Sequence, residues 1–201
     1  MSDPLPQPPS YPARPMFGGR LEHAEPLPGK HRYRPKFNGR RVLLHLPTMR
    51  TWNRKLEEVG YMHPTFKKLQ LLVGLRWPAV EWLDLEFLWG RTSIGKGAII
   101  ILDYIDPGVH WELRQMILHE IFADNQLEDL DFPEKGQVYW SNPLRENQEH
   151  AAWKHMQEIN RETQTTFYEG LVAYDITSEY PIQLFSPTRE TRHWMKYRFI
   201  D

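Results

Sequence analysis

Residues 32–46 read RYRPKFNGRRVLLHL, and the fold turns on how that stretch is arranged. Asn38-Gly39 between two alternating runs is the strongest short-range signal of a two-residue β-hairpin. Strands over 31–37 and 40–46, paired to one another, are therefore predicted. A hairpin does not require Arg32, Arg34, Lys36, Arg40 and Arg41 so close together. Either they form a solvated strand face, or an anion binds among them.

The rest of the chain gives no cause for a globally basic surface. Among 201 residues the formal net charge is -1, so any anion site is a local groove rather than a basic coat. Hydrophobic residues at 40%, with eight Trp, nine Tyr and nine Phe, suffice for one sizeable packed domain. The absence of cysteine excludes disulfides, thiolate metal sites and a cysteine nucleophile. The nine histidines show no HExxH or similar ligand spacing. No apolar run approaches the ~18 residues of a membrane span. MSDPLPQPPSYPARP lacks the apolar segment of a signal peptide. A soluble, cytoplasmic protein without membrane contact is expected.

Residues 1–15 hold Pro4, Pro6, Pro8, Pro9, Pro12 and Pro15 and are expected to form an extended or disordered leader. Residues 16–201 are expected to form the folded domain. Further strands are predicted at 80–89, 97–105, 166–173, 180–185 and 193–199, and helices at 64–74, 109–123 and 143–161. In the second helix Leu113, Met116, Ile117, Glu120 and Ile121 have the spacing of one half-buried face. Strand pairs with helices inserted between them point to an α+β fold with antiparallel sheets.

GRTSIGKG, residues 90–97, comes within one residue of a phosphate-binding P-loop, but Gly97 stands where Ser or Thr is needed. It also precedes AIIILDYI, a run that favours strand, whereas a phosphate loop opens a helix. A hairpin turn is the expectation there.

The ordered set of segments around Lys36 is more specific. Lys36-Phe37-Asn38-Gly39-Arg40-Arg41 resembles the KxDGxR motif of covalent nucleotidyltransferases: ATP-dependent DNA ligases, RNA ligases and capping enzymes. TWNRKLEEV (51–59), WLDLEFLWGR (82–91), the Leu102-Asp103 strand end, HWELRQMIL with Arg114, FYEGLVAYD (167–175) and RHWMKYRF (192–199) are similar to the later family segments, in family order. Between Lys36 and Glu169 the interval is 133 residues, a spacing that resembles compact viral and bacterial DNA ligases.

The resemblance implies a nucleotidyltransferase fold of two antiparallel sheets flanked by helices, with an ATP cleft between them. It implies that Lys36 attacks the α-phosphate of ATP, forming lysyl-AMP, and that nicked duplex DNA, RNA or an RNA–DNA hybrid is then sealed, as in DNA repair and replication. Arg41 and Glu86 would hold the ribose, Phe37 and Leu102 would border the adenine, and Lys196 and Arg198 would grip the α-phosphate. Glu169 and Glu86 would serve Mg2+, while Arg54 and Arg40 would meet the nucleic acid. A lysine nucleophile must be neutral to attack, and neighbouring cations such as Arg34, Arg40 and Arg41 would favour that form.

Four positions depart from the family pattern. Asn38 replaces Asp, Leu85 replaces Gly, Leu102 replaces an aromatic residue, and Tyr174 replaces Lys. With Leu102 aliphatic, adenine stacking would pass to Phe37 or Tyr104. The chain ends soon after Lys196, so the oligonucleotide-binding-fold domain of larger relatives is expected to be absent, and the chain is then a minimal ligase-like enzyme, or is completed by a partner protein, or has lost activity. These departures also suit a non-catalytic nucleic-acid- or nucleotide-binding relative.

Overall fold

The computed structural model describes residues 6–9, 14–25, 27, 29–60, 63–76, 79–127, 130, 132–181 and 188–199. The chain runs through β1 (Arg14–Phe17), β2 (His31–Phe37), β3 (Arg40–His45), β4 (Arg50–Asn53), α1 (Pro64–Arg76), β5 (Trp82–Phe87) and β6 (Ile99–Tyr104). It continues through α2 (Trp111–Phe122), β7 (Gln126–Leu127), β8 (Val138–Ser141), α3 (Glu149–Glu162), β9 (Tyr168–Asp175) and β10 (Glu190–Arg198). One sheet has the order β1-β10-β9-β2 and the other β4-β3-β5-β6-β8-β7. Both are antiparallel at their centres. Among the described residues, parallel pairs occur only towards the edges: β1 with β10, and β8 with β6 and β7. The expected α+β class with two sheets and flanking helices is what the chain adopts.

The opening stretch does not form the expected hairpin. β2 and β3 are both present, but β2 pairs with β9 while β3 pairs with β4 and β5. Asn38-Gly39 is a crossing between sheets. Neither residue has the positive φ that a type I′ turn demands. Their polar groups are satisfied elsewhere: the Asn38 N–H donates to Phe167 O at 2.9 Å, its side-chain amide to Thr166 O at 2.8 Å, and the Gly39 N–H to Glu86 Oε1 at 2.8 Å. Glycine is needed at 39 for close approach, since a Cβ there would stand 2.7 Å from Glu86 Cγ and 2.9 Å from Phe87 O. Conversely, GRTSIGKG does join the antiparallel neighbours β5 and β6, as expected of a hairpin connection.

Three apolar clusters fix the layers. Helices α1 and α2 cover one face of the six-stranded sheet through Phe66, Leu69, Leu118 and Ile121 against Leu44, Leu85 and Ile101. Helix α3 lays Trp153 and Met156 on Leu171, Ala173 and Tyr197 of the four-stranded sheet. Between the sheets lies an aromatic cluster of Trp52, Trp82, Trp111, Tyr174, Tyr180 and Trp194 with Leu43 and Val172. Within α2 the buried face is Trp111, Arg114, Gln115, Leu118, Ile121 and Phe122. The face expected from apolar spacing was rotated: Leu113 is 49% and Met116 63% exposed. Burial of Arg114 and Gln115 against Asp103 decides the rotation, because a buried carboxylate must be paired.

Of the proline-rich segment, residues 6–9 and 14–15 are described, and Arg14-Pro15 already belongs to β1. The strand expected at 180–185 falls mostly outside the described residues, and Tyr180-Pro181 is not strand. Among the described residues no helix is long and apolar enough to cross a membrane.

Candidate active site

Strand register assembles the site. On the four-stranded sheet Lys36, Gly170 and Arg198 lie side by side, as do Arg34, Val172 and Lys196. Alternation of side chains places Lys36, Arg34, Lys196 and Arg198 on the face that meets the second sheet. From the second sheet Arg41 stands directly opposite Glu86 on β3 and β5. Lys36, Lys196, Arg198, Arg41 and Glu86 line a cleft of 640 Å3, whose wall also includes Arg40, Arg54, Leu102 and Glu169.

Glu169 would point away from this face in a regular strand. A register shift after Lys36 and a φ of +141° at Gly170 accompany its turn towards the lysine. The Lys36 ammonium donates to Glu169 Oε2, and the Arg198 guanidinium lies 3.4 Å from the same oxygen. A Cβ at residue 170 would fall 2.0 Å from Tyr197 O, so only glycine lets β10 pass there.

Glu86 sits at the back of the cleft, where burial pushes its carboxyl up to about 7 against the opposing pull of Lys36 and Arg41; Glu169 adds to the rise. Arg41 is held bidentately by Asp84, with Nε 2.8 Å from Oδ1, and the Tyr180 hydroxyl donates to Asp84 Oδ2 at 2.7 Å. Lys196 donates to Glu190 Oε1 at 2.8 Å and to Pro15 O at 3.0 Å. The Arg34 guanidinium is buried beneath the cleft, giving hydrogen bonds to Leu102 O and Gln115 Oε1, each at 2.5 Å. Each inner cation thus has an acceptor, with Lys36 and Arg198 sharing Glu169. The expected cluster of unneutralised cations around Lys36 is not what the fold builds: Arg34 belongs to the core network. In contrast Arg40, Arg54, Lys55 and Arg91 line the mouth, are exposed, and make no ion pair among the described residues.

Two sequence expectations fare differently. Leu102 does line the cleft, next to Val172 and Tyr174. Phe37 also borders the cleft, but its ring is 2% exposed and packs on Phe167 and Tyr168, with centroids 5.8 and 5.5 Å away. Tyr104 is also buried, in the core under the six-stranded sheet. Neither ring can stack on a base in this arrangement. Sequence reading missed Asp84, Gln115, Tyr180 and Glu190. Asp84 was detectable: it stands two residues before Glu86, so alternation puts both carboxylates on one face.

The sequence matches no protein-family model. It matches no curated protein either. Solved structures do share its fold. The ligase domain of M. tuberculosis LigD superposes with a TM-score of 0.60 at 15% identity, over 94% of this chain and 59% of that one. A structure from work on Lig E DNA ligases gives 0.57 at 11%, over 92% and 68%. Chlorella virus DNA ligase-adenylate gives 0.51 at 14%, over 93% and 69%. The fold is that of DNA ligase adenylation domains, and this chain spans 59% of the M. tuberculosis domain.

Proposed function

We propose that the chain is an ATP-dependent polynucleotide ligase-type adenylyltransferase with Lys36 as nucleophile. The observation that carries this reading is the Lys36–Glu169–Arg198 constellation, set in a cleft between the sheets with a cationic mouth. In this reading Lys36 Nζ, released from Glu169, attacks the α-phosphorus of ATP and pyrophosphate leaves. Arg198 and Lys196 balance charge on the transferring phosphoryl group, a task in which fixed electrostatics dominates. Glu86 and Arg41 face the ribose, and Leu102 with Val172 forms an aliphatic wall for the base. The mouth arginines, Arg40 and Arg54, meet the phosphates of nicked DNA.

Mg2+ fits the site. Glu169 and Glu86 both line the cleft, and one or two carboxylates plus substrate phosphates are how this ion is usually held. Glu169 and Glu86 are those carboxylates; the ion would supply Lewis-acid stabilisation of phosphate charge.

Incubation with ATP, Mg2+ and pyrophosphatase, followed by intact-protein mass measurement, tests the reading. A gain of one AMP in the wild type and none in Lys36→Ala is expected. Labelling of Lys36→Ala would remove the nucleophile assignment. A folded wild type that gains nothing would favour a binding protein without turnover, a reading that the neutralised Lys36 and aliphatic Leu102 also support.

A further inference from the structure

Two buried carboxylates stand side by side between the sheets. Asp84 on β5 is directly opposite Asp103 on β6, and residues so paired point to one face. The register shift beside them leaves Leu102 without a partner on β5, a bulge of the kind that re-aims a side chain. Both carboxylates are wholly buried, and like charges placed together each need a cation. Arg41 takes Asp84, and Arg114 takes Asp103 through two contacts of 2.9 Å.

Tyr180 joins the two pairs. Its hydroxyl donates to Asp84 Oδ2 at 2.7 Å, the oxygen that also receives Arg41 Nη2. The Arg114 guanidinium lies over its ring, 5.5 Å from the centroid, and Trp194 meets it edge-on at 5.7 Å. Trp194 in turn lies 5.7 Å from the Arg41 guanidinium. Burial and the Asp84 charge hold the phenol well above its ordinary pKa, so it remains a donor. The residue belongs to the connection after β9, which is pinned to the start of α2: the Trp111 N–H donates to Ser178 O at 2.7 Å and the Glu112 N–H to Ile176 O at 3.2 Å.

Of these side chains only Arg41 lines the cleft. The χ2 torsion of an aspartate is broad, so a carboxylate held by one partner can turn about it. A bidentate guanidinium must follow the carboxylate plane. By occupying a lone pair of Oδ2, the Tyr180 hydroxyl fixes that plane, and with it the direction of Arg41. We infer that Tyr180 is a positioning residue: through Asp84 it sets how Arg41 meets the ribose of the bound nucleotide. The inference rests on the adenylyltransferase reading and gives a role to a residue outside the ordered motif set.

Tyr180→Phe removes the hydroxyl and keeps the ring against Arg114 and Trp194. Calorimetric titration of the full chain with ATP and with 2′,3′-dideoxy-ATP, in EDTA so that no transfer occurs, tests the assignment. Tyr180→Phe should bind ATP about fivefold more weakly than wild type, the worth of one hydrogen bond, with circular dichroism unchanged. It should bind the dideoxy nucleotide as wild type does. In an Arg41→Ala background the same substitution should leave ATP affinity unchanged. A merely structural role would weaken both nucleotides alike, or act equally in both Arg41 backgrounds, and either result overturns the inference, as does a wild type that binds no ATP. Intact-protein mass after incubation with ATP and Mg2+ separates the two readings. Tyr180-dependent ATP binding without a gain of AMP would remove the enzyme assignment and leave the positioning role; a gain of AMP with equal affinities in wild type and Tyr180→Phe would do the reverse.

Discussion

Gly170→Ala tests whether the site depends on one backbone approach. A Cβ at 170 would lie 2.0 Å from Tyr197 O, 2.9 Å from its carbonyl carbon and 3.0 Å from Arg198 Cα. Ordinary C···O contact needs about 3.3 Å, so β9 and β10 would have to separate by roughly 1 Å. That shift would break ladder bonds between the strands that carry Lys196 and Arg198. The φ of +141° adds strain, about 1–3 kcal/mol for a residue with a side chain in such glycine-only territory. With strand separation, a total of about 3–5 kcal/mol is expected, a large part of a small domain's stability. Gly74→Ala is the internal control: it lies within α1 with nothing within 4 Å of a Cβ, and should stabilise by about 0.5–1 kcal/mol. Urea unfolding of both variants gives the comparison. AMP labelling of Gly170→Ala, at a temperature where it remains folded, should also drop sharply. A Gly170→Ala protein within 1 kcal/mol of wild type, with normal labelling, would refute the close approach.

Glu190→Gln should release Lys196 from its anionic partner. Competition from this partly buried ion pair is about 0.5–1 kcal/mol, so the apparent affinity for ATP in the labelling reaction should rise about two- to fivefold; an unchanged value would mean that Lys196 does not act on the nucleotide. Stability should fall as pH rises from about 4.5, Glu86's ordinary value, through about 7, its value in the fold. In that window the native state holds a proton that the unfolded chain has lost. Glu86→Gln should flatten the thermal midpoint across that range, and an undiminished slope would reassign it. Asp103→Ala strands Arg114 in the core without its carboxylate, and denaturant unfolding should show a loss of about 3–5 kcal/mol.

Local pattern revealed most strands and helices but not how they pair. RYRPKFNGRRVLLHL carries every local mark of a hairpin, yet the tertiary acceptors at Phe167, Thr166 and Glu86 take the polar groups that a hairpin would pair internally. Propensity rules describe neighbours in sequence, and these acceptors lie 47 to 128 residues away for the two side-chain bonds. The α2 face was misread for a related reason. Apolar spacing favoured Leu113 and Met116, whereas the buried Asp103 required Arg114 and Gln115 to face inward. In the site, Lys36, Glu86, Glu169, Lys196 and Arg198 were legible as members of an ordered motif set, and the fold brings them to one cleft. Their pairing was not legible, because it depends on which carboxylate the register sets beside each cation.

That pairing changes how the cations near Lys36 can act. Arg34 neutralises nothing in the cleft: its side chain is 1% exposed, ringed by Trp111, Trp140 and Tyr174, and bound to Gln115. Through Gln115 it joins Asp103 and Arg114, and through Leu102 O it holds the strand that carries Leu102 into the cleft wall. Arg41 is similarly anchored by Asp84 and Tyr180. Of the two, Arg41 lines the cleft, and a guanidinium fixed in this way loses little freedom when a ligand arrives, which favours binding through preorganisation. Lys36 and Lys196 differ, since each is held by a carboxylate with which an incoming phosphate must compete. The structure therefore separates two anchored guanidinium groups, Arg34 and Arg41, from two lysines that, in the proposed adenylyltransferase reading, exchange their carboxylate partners for phosphate.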